Sequence, residues 1–103
     1  MTLEDLREAL SERAPGLGAF EEFIHDCERG MADQPQHAAF FGLLAGAAQH
    51  FRERYNQEPL SVTTIGEAKE ELLRLVDSAR QAAVGEPKDQ IEALNGIARA
   101  DLG

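Results

Sequence analysis

The sequence predicts an all-α fold, a small antiparallel bundle of four to five helices, and three observations carry that prediction. Apolar residues recur three and four positions apart along most of the chain. No segment longer than three residues alternates with the period of a strand, and residues Gln34 to Phe51 carry no formal charge. The first two observations leave helix packed on helix as the layer architecture. The third sets one helix, expected over about residues 35–55, at the centre. Its middle, Ala38 to Ala48, is apolar on every helical face, and such a helix must be surrounded by its own chain or by a second copy. A single domain, 1–103, is expected, because dividing 103 residues leaves parts too small to bury a useful core.

The elements follow in order. Leu3, Leu6 and Leu10 recur at helical spacing after Thr2, whose hydroxyl can cap the first turn with Asp5 at the third helical position, so a first helix is expected over about 3–13. Pro15-Gly16-Leu17-Gly18 ends it, since proline lacks the amide and glycine accepts turn geometry. Phe20, Phe23, Ile24, Cys27 and Met31 form the stripe of a second amphipathic helix, with acids on its other side. Asp33 is read as the N-cap of the third helix, with Pro35 in its first turn and an apolar stripe of Phe40, Leu44, Ala47, Ala48, Phe51 and Tyr55. In that helix Gly42 and Gly46 share one face, where a neighbouring backbone can approach closely; each glycine costs about 1 kcal/mol relative to alanine.

Asn56 to Val62 contains Pro59, has no helical period and reads as a loop. Thr64 and Glu67 have capping-box spacing ahead of a fourth helix, whose seam is Ile65, Ala68, Leu72, Leu75, Val76, Ala79 and Ala83, with Glu70 and Arg74 four apart on an outer face. Gly85 and Pro87 end it. Ile91, Leu94 and Ala98 mark a short fifth helix over about 88–99.

Charge bounds the function. Nineteen acidic and ten basic side chains give a net charge of −9, and Met1 to Asp33 alone holds nine acids against three bases. That field repels phosphate backbones and anionic membranes, so direct nucleic-acid binding is not expected, and basic partners or cations are favoured. Two helix-turn-helix readings, Leu3 to Ile24 and Leu60 to Leu75, fail for the same reason: their recognition helices carry Glu21, Glu22, Asp26 and Glu28, or Glu67, Glu70 and Glu71. One cysteine, Cys27, allows no intramolecular disulfide or thiolate cluster, which fits a reducing cytoplasm. The acidic, amphipathic start is unlike a secretory leader, and the uncharged stretch is too polar at its flanks for a membrane span. Arginine supplies eight of the ten bases and alanine is the commonest residue, a bias read as that of a GC-rich bacterial genome.

Few residues invite chemistry. Glu22 and His25 form a Glu-x-x-His pair, which puts two metal-ligating groups on one helical face as di-iron and di-manganese bundle sites require. One pair is half such a site; a twofold dimer supplies the second, with Glu53, Glu67, Glu70 or Glu71 as further ligands. The plainer reading is a surface histidine beside acids. His37 and His50 lie roughly 20 Å apart along one helix and cannot share a metal within a chain. A histidine phosphotransfer domain carries Lys and Gly three and four positions after its histidine, whereas His37 is followed there by Phe40 and Phe41. Cys27 lies on an apolar stripe with Asp26 and Glu28 beside it, neighbours that disfavour a thiolate. No phosphate loop, nucleophile elbow or zinc spacing occurs. The reading is therefore a non-enzymatic cytoplasmic interaction module without a cofactor, expected to pair with itself as a homodimer or with a protein partner through its acidic face. A dimeric metal protein using Glu22 and His25 is the alternative. The dimer expectation rests on an apolar supply generous for one chain: the third helix together with Leu73 and Val84.

Overall fold

Thr2 opens the first helix as its sequence implies. In the computed structural model, which describes residues 1–55 and 60–102, α1 spans Leu3–Glu12. The Thr2 hydroxyl accepts the Asp5 amide at 3.1 Å, and the Asp5 carboxylate accepts the Thr2 amide at 3.1 Å. This reciprocal cap satisfies two amides that a helix start leaves without partners, and it holds the Asp5 carboxyl below its ordinary range. Leu3, Leu6 and Leu10 are buried. The turn is shorter than the sequence suggests: α2 (Leu17–Asp33) starts directly after Gly16, with Leu17 and Gly18 already inside it.

Asp33 does not cap the third helix. It is the last residue of α2, and its carboxylate receives the N-terminal ammonium of Met1 at 2.7 Å, which lowers its pKa. The helix ends at Gln34, and the chain makes a 3-10 turn at Pro35–His37 and enters α3 (Ala38–Arg54) with no side-chain cap. Proline fits the turn because the missing amide lies at its start. Residues 56–59, most of the expected loop, fall outside the described residues. The next helix, α4 (Val62–Ala83), begins earlier than the Thr64 cap predicted: Ser61 is the N-cap, its hydroxyl accepting the Thr64 amide at 3.1 Å. A fifth helix, α5 (Pro87–Arg99), follows a turn in which the Glu86 amide donates to Asp89 at 3.2 Å. Among the described residues there is no strand, and no helix is long and apolar enough to cross a membrane.

Contact pairs give the topology. Gly30 meets Phe41, Phe20 stacks on Phe51 at 4.9 Å, and Glu21 pairs with Arg52 at 3.1 Å, so α2 and α3 run antiparallel. Arg7 reaches Asp77 at 2.7 Å and Lys69 reaches the Arg13 carbonyl at 2.6 Å, which makes α1 and α4 antiparallel too. Helices α1 to α4 enclose one apolar cluster that includes Phe20, Phe23, Phe41, Phe51, Leu44 and Leu72, and Ile97 of α5 closes it.

Stripes in three helices differ from the sequence reading. In α2 Met31, at the end of the expected stripe, is 40% exposed, while Asp26 and Gly30 are buried. In α4 the buried set is Ile65, Ala68, Leu72, Leu75, Val76, Ala79 and Ala82, with Ala83 half-buried, and the ion pair on its outer side joins Arg74 to Glu71 rather than Glu70. In α5 the chain buries Ile97, whereas Ile91 is 59% exposed and Ala98 is also exposed. The helix lies beside the core rather than across it, so one turn is sealed and its first turns face solvent.

The central helix needs the larger correction. Its own chain does not surround it: Phe40, Phe41, Leu44, Ala48 and Phe51 are buried, while Ala39, Gly46, Gln49 and His50 are exposed. The inner side carries the large apolar groups and the outer side carries alanine, glycine and neutral polar groups. An apolar helix can tolerate one wet face when that face consists of residues with little surface to hide.

Candidate functional site

Glu22 and His25 lie on the solvent side of α2, as their spacing implies. Glu22 is occupied by Arg13, whose Nε lies 2.8 Å from its carboxylate. The His25 ring is 75% exposed, with Nδ1 3.7 Å from the Glu28 carboxylate. Among the described residues, no three His, Cys, Asp or Glu side chains are grouped to hold a metal ion. Among the described residues of one chain the pair therefore has no third ligand. Of the further ligands considered, Glu53 accepts the Gln49 amide at 3.2 Å and Glu71 is engaged by Arg74, which lowers its pKa.

His37 sits half-buried in the 3-10 turn, its ring edge-on to Phe40 at 6.2 Å, and His50 is exposed on α3. Cys27 is fully buried. Loss of solvent, reinforced by the charges of Asp26 and Glu28, pushes its thiol far above the ordinary value of 9.0. It is a neutral packing group, as its stripe position implies.

The most elaborate polar cluster escaped the sequence reading. Asp26 is only 5% exposed, and it sits between the Arg13 guanidinium at 2.6 Å and Arg29 at 3.3 Å. Arg13 also holds Glu22, and its carbonyl accepts the Lys69 ammonium of α4, which reaches the Ser11 carbonyl as well, at 3.3 Å. One residue thus ties the end of α1 to α2 through its side chain and to α4 through its backbone. Lys69 satisfies carbonyls that a helix end leaves open. One Arg13 nitrogen, Nη1, is buried without a hydrogen-bond partner among the described residues. Asp26 lies three positions after Phe23 and four before Gly30, on the buried side of α2. The periodicity was visible, but a carboxylate reads as a solvent residue unless its partner is known. Within the cluster each carboxylate is paired with a guanidinium, Asp26 with Arg13 and Arg29 and Glu22 with Arg13.

Two surface features remain. As far as His50 the outer face of α3 presents Ala39, half-buried Gly42, Gly46, Gln49 and His50 without a formal charge, and the exposed Glu53 follows one turn after Gln49. A Cβ built on Gly46 meets nothing within 4 Å, and one on Gly42 meets only the Met31 methyl at 3.9 Å. This face continues into a groove of about 350 Å³ against α5, lined by Leu43, Gly46, Ala47, His50, Ile97 and Ala98 among others. At the other end of α3, a groove of about 460 Å³ lies between the start of α1 and the end of α4. Leu3, Glu4, His37, Arg80 and Val84 help to line it.

The apolar supply is smaller than expected. Leu73 packs partly buried against the core, while Val84 is 89% exposed. The other exposed large apolar side chains, Val62, Ile91 and Met31, lie on three different helices. Compared with protein-family models, curated proteins and solved structures, the chain matches none.

Proposed function

We propose that this chain is a non-enzymatic interaction module of the bacterial cytoplasm, which pairs along the outer face of α3 with a protein partner, in the first place a second copy of itself. The observation that carries the reading is that Gly42 and Gly46 stand one turn apart on the same outer face of α3; open space at a helical glycine is not by itself distinctive, since Gly18, Gly66 and Gly96 have it too, but these two share one uncharged face. Each costs about 1 kcal/mol of helix stability relative to alanine, and neither position is crowded by its own neighbours. Gly30 shows the contrast: a Cβ there would overlap the Phe41 ring. A helix backbone approaching from outside would use the space that Gly42 and Gly46 leave.

Electrostatics supports the same face. Two chains of net charge −9 repel, and they approach at least cost along the stretch of α3 from Ala38 to Phe51, which carries no formal charge and ends before the exposed Glu53. A twofold axis at α3 would set this uncharged strip against itself. The acidic outer surfaces of α1 and α2 would stay free for a basic partner, and nucleic acid is disfavoured by the same charge.

Sedimentation or light scattering at micromolar concentration tests the pairing. The expected result is a mass rising with concentration towards twice 11.3 kDa. Gly46→Glu, which adds a charge where the chain has open space, should return the 11.3 kDa species with an unchanged helical spectrum. A wild-type chain that stays at 11.3 kDa throughout overturns self-pairing.

A further inference from the structure

We draw no further inference here: the strongest candidate, the groove between the start of α1 and the end of α4 lined by Leu3, Glu4, His37, Arg80 and Val84, carries nothing because its mixed charges favour no one ligand chemistry and nothing in the structure shows what covers it.

Discussion

Gly30→Ala and Gly46→Ala make the same chemical change in two packed helices, and the packing gives them opposite signs. In an unobstructed helix either change stabilises by about 1 kcal/mol, because alanine loses less backbone freedom than glycine. At Gly46 nothing lies within 4 Å of the added methyl, so that gain should appear nearly whole. At Gly30 the methyl would lie 2.5 Å from Cζ and 2.6 Å from Cδ1 of Phe41. Carbon atoms rest at about 3.5 to 4.0 Å, so the overlap approaches 1 Å or more on a rigid ring. Phe41 is fully buried and cannot swing into solvent. Overpacking of this kind costs about 1 to 3 kcal/mol. With the severe overlap taken at the upper end and the helix gain subtracted, Gly30→Ala should destabilise by about 2 kcal/mol.

Urea unfolding followed by far-ultraviolet circular dichroism measures both. It should be run at a concentration low enough for single chains to dominate, so that pairing through α3 does not enter. The two variants should differ by about 3 kcal/mol, with midpoints on either side of wild type. Adding Phe41→Leu to Gly30→Ala should recover part of the loss, because the smaller side chain vacates the space the methyl needs. A Gly30→Ala chain as stable as wild type would refute the close packing of α2 on α3.

The remaining expectations concern charge and metal. Arg13→Met strands the buried Asp26 carboxylate; removing one partner of a buried pair costs about 3 to 5 kcal/mol, and the Arg29 contact at 3.3 Å holds the loss near the lower figure. Asp26→Leu added to Arg13→Met should restore much of that stability in urea titrations, and a double variant no better than the single would contradict the pairing. Asp5, Asp33 and Glu71 all have lowered pKa values in the folded chain. Their contribution is present above the ordinary values of 3.8 and 4.5 and is lost as pH falls through the lowered folded values. Melting temperature should therefore decline on acidification below that range, and a flat profile would count against these contacts. Zinc, manganese or ferrous iron should leave the melting temperature of untagged protein unchanged under the proposed reading; a rise that Glu22→Gln and His25→Ala each abolish would establish the metal site instead.

How much was legible in advance depended on the range of the interaction. Thr2 with Asp5, and Leu3, Leu6 and Leu10 after them, are local: cap and stripe lie within one helix, and α1 formed where they indicated. The start of α4 slipped because Ser61 and Thr64 both have capping hydroxyls three residues from a usable amide, and local chemistry ranks them nearly equally. Asp33 offers the same lesson. It has the right side chain for an N-cap, yet the ammonium of Met1, 32 positions away, takes its carboxylate. The candidate metal pair was legible as a spacing, but its surroundings were not: Arg13 arrives at Glu22 from the preceding helix.

The sequence alone determined the helical class, the order of the five helices, the inward phenylalanines and most of the inward leucines, though not Met31 or Ile91, because these follow from a period of 3.6 residues and from the cost of wetting Phe and Leu. Tertiary structure decided which weakly apolar face stays wet, where a carboxylate is buried, and which glycine is obligatory. The cause is that alanine, glycine and paired charges have small or cancelling transfer energies. For them the neighbour supplied by the fold outweighs the residue's own preference, and Gly30 against Phe41, or Asp26 against Arg13, can be recognised only once two helices have met.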